Sequence, residues 1–276
     1  MNKDLLTLFD IDADELDTLF NLADELRLSD AYQPLAGIDA ALIFQKPSLR
    51  TRVSFEVGIG QMGGRSVALT NEGIGIGTRE TAHDVAKSLA GFVQLIVARL
   101  YDHSTIEQIA MHADIPVVNA LTDLSHPCQV LADLYTIRQH GRLNPGVTVA
   151  FVGDGNNVAN SWIEATTLYP VNFILAAPNG YGPDLATLKQ AGKSSIGSVT
   201  ITNDPVHAVR NADIVYGDVW TSMGQETETR ARAKAFAPFQ INEKLMNRAP
   251  SECLVMHCLP AHRGEEITAG VIDGPR

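Results

Sequence analysis

The order of apolar runs constrains the fold of this 276-residue chain more than any other feature. Short runs rich in β-branched and aromatic residues alternate with stretches of helical periodicity, which is typical of βαβ units and a parallel sheet. In the first half, strand-like runs cover residues 40–44, 66–69, 95–99 and 117–120. Helical stretches begin near Ser48, Thr81 and Ser104, and an amphipathic helix precedes the first strand-like run.

The alternation restarts after Asn144-Pro145-Gly146, a tripeptide typical of turns. Further strand-like runs cover residues 148–152, 173–176, 199–202, 214–217 and 254–257. We therefore predict an α/β protein with two doubly wound domains, each with a mainly parallel sheet flanked by helices. The first domain is expected to cover residues 1–140, including a linking helix over 127–140, and the second residues 141–276.

Unusual polar side chains follow the strand-like runs in both halves of the chain. They are Ser48 and Arg50, Arg99, Asn156 and Asn157, Asp218, and His257 with Cys258. Open α/β sheets bind ligands outside the carboxyl ends of their strands. The pattern therefore indicates that these side chains bind the ligand.

The segment 44–56, FQKPSLRTRVSFE, combines a strand end, a helix start and several cations. We interpret Ser48 as the N-cap, so the N–H groups of the first turn point outward with the positive end of the helix dipole. Arg50, Thr51 and Arg52 add donors that suit a phosphate. The alternative is a capped surface helix with solvated arginines. Taken alone, this short segment favours a phosphate site over that alternative only modestly.

Composition argues against several classes of partner. The net charge of −11 disfavours nucleic acid and anionic membranes, so cations that bind a phosphorylated metabolite have to be concentrated locally. Three cysteines without a C-x-x-C pair favour a reducing compartment. Because the N-terminus lacks a signal-peptide pattern and no apolar run reaches membrane-spanning length, we predict a cytoplasmic protein.

Two motifs suggest cofactor sites that their surroundings do not support. Residues 153–158, GDGNNV, place Val158 where a dinucleotide fingerprint has its third glycine, and the next strand ends without an acid for a ribose. We predict instead a tight turn with Asn157 at a helix N-terminus. The motifs HPCQ at 126–129 and HC at 257–258 are too far apart to predict a zinc site.

The cysteines and the acidic loop each leave two interpretations. Cys258 is either a Cys–His nucleophile or a small hydrophobe at a strand end, whereas for Cys128 and Cys253 we prefer the hydrophobe. Asp218 opens the sequence DVWTSMG, where it either forms an Asx-type turn or holds an aliphatic amine beside apolar side chains.

Four motifs in register closely resemble ornithine carbamoyltransferase over nearly the whole chain: SLRTR at 48–52, HPCQVLADL at 126–134, DVWTSMGQE at 218–226 and MHCLPAHRGEEIT at 256–268. The aspartate branch of that superfamily lacks the SMG loop and the HCLP cysteine. The resemblance implies carbamoyl transfer from carbamoyl phosphate to the side-chain amine of L-ornithine, giving L-citrulline and phosphate in arginine biosynthesis. It also implies a homotrimer with sites at subunit contacts, and chemistry without a metal, an organic cofactor or a covalent intermediate.

By this resemblance the site residues fall into two groups. Carbamoyl phosphate would be bound by Ser48, Leu49 through its backbone, Arg50, Thr51, Arg99, His126 and Gln129. Ornithine would be bound by Asn157, Asp218, Ser222, Met223, Cys258 and the backbone of Leu259. The catalytic residues would be Arg99, His126 and Cys258.

The sequence departs from the family pattern at two points. Gly75 stands where the family usually offers a Gln or His to the phosphate of the neighbouring subunit, so Thr78 or Arg79 would have to replace that contact. The printed chain ends at Arg276, before the AENR-type stretch, whose arginine completes the carbamoyl site, and before a closing helix. A molecule that ended there is expected to be less active and less stable.

Three alternatives stay open at this point. One is a carbamoyltransferase with another acceptor, such as putrescine or an acylated ornithine, and a second is a truncated, inactive homologue that keeps the phosphate site. A nicotinamide enzyme ranks last. The residues predict neither the metabolic direction of the reaction nor whether a trimer associates further.

Overall fold

The computed structural model describes residues 4–28, 32–221 and 226–276. The chain divides into two compact units, Met1–Leu131 and Ala132–Arg276. The division falls inside the helix Pro127–Gln139. The finer division at residues 140 and 141 stays a prediction.

The first unit contains a parallel sheet. Its strands are β1 Asp39–Phe44, β2 Arg65–Thr70, β3 Leu95–Arg99 and β4 Val117–Leu121, in the spatial order β2-β1-β3-β4. Its helices are α1 Ala13–Leu28, α2 Arg50–Gln61, α3 Asn71–Ile74, α4 Ala82–Ala90 and α5 His103–His112, after a 3-10 turn at Leu8–Asp10. Helix α6, Pro127–Gln139, continues into the second unit.

Burial explains which runs of the first unit become central strands. Five of the six residues of β1 are buried, as expected of a parallel strand that is covered on both faces. Strand β2 lies at the sheet edge and has no fully buried residue. Its first residue, Arg65, pairs with Asp39 at the start of β1, with Nε 2.7 Å from Oδ1.

The second unit contains a longer parallel sheet. Its strands are β5 Thr148–Val152, β6 Asn172–Ala176, β7 Ser198–Thr202, β8 Ile214–Gly217 and β9 Leu254–His257, in the spatial order β7-β6-β5-β8-β9. Its own helices are α7 Asn157–Ala165, α8 Leu185–Ala191, α9 Pro205–Val209, α10 Thr229–Phe236, α11 Glu243–Met246 and α12 Ala269–Ile272. Two 3-10 turns, Glu226–Glu228 and Ala237–Phe239, flank α10.

Aromatic side chains fill one face of the second sheet. Trp162 of α7 stacks on Phe173 with an interplanar angle of 6°, and Phe151 stacks on Tyr216 with a centroid distance of 5.4 Å. All four rings are fully buried. The Tyr216 hydroxyl donates to Asp133 Oδ2 of α6 at 2.8 Å, so the ring cluster buries its polar atom with a partner.

The strand order reverses once in each sheet. In the first sheet the chain passes from β1 to β2 and then to β3, which lies on the other side of β1. In the second sheet it passes from β5 through β6 to β7 and then to β8, which lies on the other side of β5. Such a reversal leaves a crevice at the carboxyl ends of the two central strands, where open α/β sheets bind ligands. The segments after β1 and β3, and after β5 and β8, are therefore the candidate binding segments.

The strand assignments and the two doubly wound sheets predicted from the sequence are confirmed, with β3, β5, β8 and β9 at the predicted bounds. Thr81 caps α4, its hydroxyl accepting from Asp84 N–H at 3.1 Å. The prediction of Ser48 as the N-cap of α2 is wrong: the helix starts at Arg50 and Leu49 precedes it without a side-chain cap. Leu49 already has helical backbone angles, so it precedes the helix in place of Ser48 although it has no polar side chain.

Candidate active site

The end of β3 and the start of α2 meet at the crevice of the first sheet. Arg99, the last residue of β3, donates from Nη1 to Thr51 Oγ1 at 3.0 Å. This bond brings together two residues that are 48 positions apart in the chain. The guanidinium is thereby oriented toward the N-terminal turn of α2, where backbone N–H groups lack intrahelical acceptors.

The first turn of α2 presents its polar groups to solvent. Arg50 is exposed, Leu49 is 74% exposed, and Ser48 and Thr51 are partly exposed. Arg52, by contrast, is engaged by Glu56 one helical turn later, with Nε 2.9 Å from Oε1. Arg50 is therefore an exposed cation beside a helix N-terminus that favours anions, whereas the charge of Arg52 is paired with Glu56.

Lys46 is a buried cation that the sequence interpretation did not place in the site. It is 7% exposed, and its Nζ lies 4.8 Å from the centroid of the Tyr101 ring. Burial, and then the charge of Arg99, lower the pKa of this ammonium, while Asp123 and Asp102 oppose the shift. Lys46 and Arg99 together concentrate positive charge at the carboxyl ends of β1 and β3, despite the acidic chain.

His126 lies in a buried polar loop between β4 and α6. Thr122 N–H donates to Ser125 O at 2.9 Å, and Asn119 Nδ2 donates to Leu6 O at 2.8 Å. Burial, and then the charge of Arg99, lower the pKa of His126 from 6.5 to about 3. The imidazole is therefore neutral at physiological pH and can donate one hydrogen bond.

Gln129 follows His126 by one turn at the start of α6. Its N–H donates to His126 O at 3.1 Å. The neighbouring Cys128 Sγ donates to Asn119 O at 3.4 Å, and burial raises the pKa of this thiol to about 12. Cys128 therefore behaves as an inert buried thiol, in line with its interpretation as a small hydrophobe.

Asp218 is the centre of the polar groups at the crevice of the second sheet. It follows β8 and is 6% exposed. Its Oδ1 accepts from Val219 N–H at 2.8 Å and from Cys258 Sγ at 3.0 Å, and its Oδ2 accepts from Asn156 Nδ2 at 2.7 Å. Asn156 is also the N-cap of α7, because its Oδ1 accepts from Val158 N–H at 3.0 Å.

Cys258 is a hydrogen-bond donor in these surroundings. Burial, and then the negative charge of Asp218, raise the pKa of the thiol well above its ordinary value. A thiolate nucleophile needs the opposite environment, with cations or a helix N-terminus nearby. The contacts of Cys258 therefore favour a neutral thiol that orients Asp218.

Leu259 follows Cys258 with an unusual backbone conformation. Its φ is +57°, in the left-handed region that bulky residues rarely adopt, and the peptide bond to Pro260 is cis. Leu259 N–H donates to His257 Nδ1 at 2.9 Å. The motif His257–Pro260 is thus a tight turn directly after β9.

The glycine-rich segment after β5 serves chain packing. Helix α7 begins at Asn157, as predicted, and Asn157 Oδ1 accepts from Val158 N–H at 3.0 Å. A Cβ at Gly155 would lie 2.3 Å from the backbone carbon of Gly182, so only glycine fits there. This close approach explains the glycine without a dinucleotide.

Asp154 and Arg232 form a buried pair that the sequence analysis missed. Arg232 Nη2 donates to Asp154 Oδ2, and Arg232 Nε donates to Trp220 O at 2.7 Å. Arg232 therefore connects α10 with the segments that follow β5 and β8. Ser222 and Met223, two of the predicted ornithine ligands, lie outside the described residues.

One group of side chains in the described residues has the composition of a cation site. His262, Glu265 and Glu266 place one ligand atom each within 4.8 Å of one another. Two of the three are exposed, and Oε1 of the buried Glu266 already accepts from His262 N–H at 2.5 Å. We assign this cluster a structural role.

Comparison with known proteins bears on both halves of the chain. Residues 3–139 match the family model for the carbamoyl-P binding domain of aspartate/ornithine carbamoyltransferase, and residues 145–276 match the model for its Asp/Orn binding domain. The chain belongs to the aspartate/ornithine carbamoyltransferase family. The resemblance in its motifs is thereby confirmed.

Individual carbamoyltransferases match at high identity. The chain is 50% identical to the ornithine carbamoyltransferase of Chlorobaculum tepidum over 99% of this chain and 83% of that protein. It superimposes on the ornithine carbamoyltransferase of Pyrococcus furiosus with a TM-score of 0.93 at 45% identity, covering 99% of this chain and 90% of that one. For the anabolic enzyme of Campylobacter jejuni the TM-score is 0.95 at 34% identity, over 99% and 91% of the two chains.

Among the described residues, no helix is both long enough and apolar enough to span a membrane.

Proposed function

We propose that this chain transfers the carbamoyl group of carbamoyl phosphate to the side-chain amine of L-ornithine, giving L-citrulline and phosphate. Family membership of both halves supports the reaction class, and the relatives named ornithine carbamoyltransferase support the acceptor. The main observation in support of ornithine as the carbamoyl acceptor is the buried side chain of Asp218, which accepts hydrogen bonds from Asn156 and Cys258. A carboxyl group held in place at a strand end suits the α-ammonium of an amino acid, because it can accept hydrogen bonds from it.

Carbamoyl phosphate is assigned to the first unit. The phosphate would be bound by Arg50, by the hydroxyls of Ser48 and Thr51, and by the N–H groups of the first turn of α2, including that of Leu49. Arg99, His126 and Gln129 would surround the carbamoyl group. The bond between Arg99 and Thr51 supports a continuous row of donors from phosphate to carbamoyl oxygen.

Ornithine is assigned to the second unit. Asp218 and Asn157 would bind its amino-acid end together with Ser222 and Met223. Cys258 and the backbone of Leu259 would lie near the reacting amine. The thiol contact of Cys258 with Asp218 supports this arrangement, because it orients the carboxyl group.

The reacting amine has to lose its proton before it attacks. An aliphatic ammonium with a pKa of about 10.4 needs roughly 4–5 kcal/mol to reach its neutral form at pH 7. Apolar surroundings and nearby cations both disfavour an ammonium. We propose that Met223 and Leu259 supply the apolar surroundings.

Attack then builds negative charge on the carbamoyl oxygen. Arg99 and neutral His126 are the donors assigned to this oxygen, and such donors are typically worth about 3–4 kcal/mol each. Phosphate leaves with its charge met by Arg50 and the N-terminal turn of α2. The leaving phosphate carries away the proton that the amine loses when the carbon–nitrogen bond forms. The residues above bind the phosphate and donate to the carbamoyl oxygen, without a covalent intermediate.

The proposal extends to assembly and location. The resemblance supports a cytoplasmic homotrimer in which a neighbouring subunit completes the phosphate site. Gly75 has φ +64°, and a Cβ there would lie 2.9 Å from Arg79 Cβ, so a side chain at this position would be strained. We assign the contact with the neighbour to the exposed Arg79, four residues later in the same turn. The name of the Campylobacter jejuni relative, an anabolic ornithine carbamoyltransferase, supports a place in arginine biosynthesis.

The direct test measures carbamoylated products by colorimetry with ornithine, putrescine and N-acetylornithine as acceptors. We expect citrulline from ornithine, and little product from the other two amines because they lack the pair of charges around the α-carbon. Turnover with putrescine or N-acetylornithine instead would reassign the acceptor. A carbamoyl phosphate-induced thermal shift without turnover of any amine would reduce the chain to a phosphate-binding homologue.

A further inference from the structure

The turn that carries Cys258 and Leu259 rests on two buried side chains that the mechanism above does not use. The side chain of His257 is 2% exposed, and that of Glu266 is fully buried. Leu259 N–H donates to His257 Nδ1 at 2.9 Å. On the other side of the ring, His257 Nε2 lies 3.3 Å from Glu266 Oε1.

These contacts define the protonation of the imidazole. A backbone N–H can only donate, so Nδ1 has to be the bare nitrogen that accepts from Leu259. The ring proton is then on Nε2, which lies 3.3 Å from Glu266 Oε1. A carboxylate beside Nε2 stabilises this tautomer, as in other acid–histidine pairs in which one ring nitrogen is oriented by the bond at the other.

The surroundings hold the pair in place. Glu266 Oε1 accepts from His262 N–H at 2.5 Å, and the Glu266 carbonyl accepts from Ile241 N–H at 2.8 Å. Gly217 is opposite His257 in the register of β8 and β9. A Cβ at Gly217 would lie 3.2 Å from His257 Cδ2, so the glycine leaves room for the ring.

The bond at Nδ1 matters because Leu259 is in a conformation that its side chain disfavours. A non-glycine residue at φ +57° persists when the surrounding contacts require it. We infer that His257 and Glu266 are positioning residues for the acceptor amine: Glu266 fixes the tautomer of His257, and His257 holds Leu259 N–H so that Cys258 and the Leu259 backbone keep their directions. This inference rests on the proposed function.

The kinetic test compares two substitutions at one position. His257→Asn keeps an acceptor near the place of Nδ1, whereas His257→Leu has similar bulk and no acceptor. We expect kcat/KM for ornithine to fall about tenfold in His257→Leu, the size of one lost hydrogen bond, and to stay within about threefold in His257→Asn. The Kd of carbamoyl phosphate, measured by calorimetry, should be unchanged in both variants.

A parallel pair tests the carboxylate. Glu266→Gln keeps an oxygen that lies beside Nε2 and accepts from His262 N–H, and Glu266→Leu removes it, so activity with ornithine should survive only the first change. Arg263→Ala is the matched control, because Arg263 makes an exposed pair with Asp273 in the same segment. Equal losses in His257→Asn and His257→Leu, or none in either, would overturn the inference.

A measurement without turnover separates this inference from the proposed function. The ¹⁵N chemical shifts of the His257 ring should show a bare Nδ1 and a protonated Nε2 in the wild-type protein. The opposite tautomer would overturn the inference even in an active enzyme. An inactive wild-type protein with the expected tautomer would instead count against the proposed acceptor.

Discussion

Asp218 joins three elements through one carboxylate, since it accepts from the residue after it, from the cap of α7 and from the thiol after β9. An asparagine has the same shape but places an N–H₂ group against at least one of these donors. We expect Asp218→Asn to lower kcat/KM for ornithine roughly 10- to 100-fold, the worth of a hydrogen bond to a charged group. The assay is citrulline formation at saturating carbamoyl phosphate.

Asp204→Asn is the matched control for that change. Asp204 also accepts from a backbone N–H through its side chain, with Oδ1 2.9 Å from Val206 N, but it caps α9 and is exposed. Its kinetic constants should equal those of the wild type. If both variants keep the wild-type kcat/KM for ornithine, Asp218 does not bind the acceptor.

His126 gives a pH prediction with a defined sign. Its pKa of about 3 in the folded protein is below the value of 6.5 expected for the unfolded chain. Between these values the unfolded chain binds a proton that the folded protein does not, so the free energy of unfolding falls as the pH falls below 6.5. From pH 7 to pH 5 the loss is about 2 kcal/mol at 1.36 kcal/mol per unit.

Chemical unfolding of the wild type and of His126→Gln at pH 7, 6 and 5 measures this term. The difference between the two pH dependences should account for the roughly 2 kcal/mol, since other groups titrate alike in both proteins. An imidazole resonance of His126 that titrates near pH 6.5 in the folded protein would contradict the assignment. A neutral His126 at pH 5 is also the state that the proposed oxyanion contact requires.

At the scale of elements, Gly217 is where strand geometry limits side-chain size. An added Cβ would lie 2.8 Å from Ile241 Cδ1 and 3.2 Å from the ring of His257. We expect Gly217→Ala to lower the free energy of unfolding by about 1–3 kcal/mol, as overpacking of a buried site does. Tryptophan fluorescence reports this directly, because Trp162 and Trp220 both lie in the second unit.

A glycine in helix α2 provides the opposite expectation. Gly60 is exposed, and a Cβ there would meet no atom within 4 Å. Gly60→Ala should raise the free energy of unfolding by about 0.5–1 kcal/mol, because alanine loses less backbone entropy in a helix. If Gly217→Ala and Gly60→Ala shift the midpoint of thermal unfolding, measured by calorimetry, in the same direction, the packing argument is contradicted.

The strands were predictable because local sequence determines them. A parallel strand covered on both faces is a short apolar run, and runs such as 95–99 and 214–217 carry that signal without reference to the rest of the chain. The start of α2 was not predictable in this way. Leu49 precedes the helix without a polar side chain to mark that position, whereas Ser48 carries a hydroxyl of the kind that usually caps one.

The same distinction applies to the candidate site. Asp218 and Asn157 were found because they follow strand runs, and Arg99 because it ends one, but their partners are far away in sequence. Asn156 is 62 positions from Asp218, and Arg232 is 78 positions from Asp154. Sequence periodicity contains no signal for such pairs. Nothing in the sequence distinguishes the buried Glu266 from the exposed Glu265 beside it.

For the molecule as a whole, the net charge of −11 has to coexist with the binding of an anion. The first unit concentrates positive charge by placing Arg50, Arg99 and Lys46 near the carboxyl ends of β1 and β3. If a neighbouring subunit adds Arg79, as proposed, assembly contributes a further cation that a single chain does not supply to its own site. Sedimentation should then give a species of about three times the 29.8 kDa chain mass.

Mixing two inactive variants tests whether sites are shared between subunits. In Arg50→Ala each chain lacks a cation of its own site, and in Arg79→Ala each chain fails to complete its neighbour's site. After dissociation and reassembly of an equal mixture, about one quarter of the sites receive Arg50 from one chain and Arg79 from the next, so activity should reappear near that fraction. Arg50→Ala mixed with Arg99→Ala is the control, since both residues belong to the same chain's site and no intact site can form. Recovery in the control as well as in the test mixture, or in neither, would rule out Arg79 as the residue given to the neighbouring site.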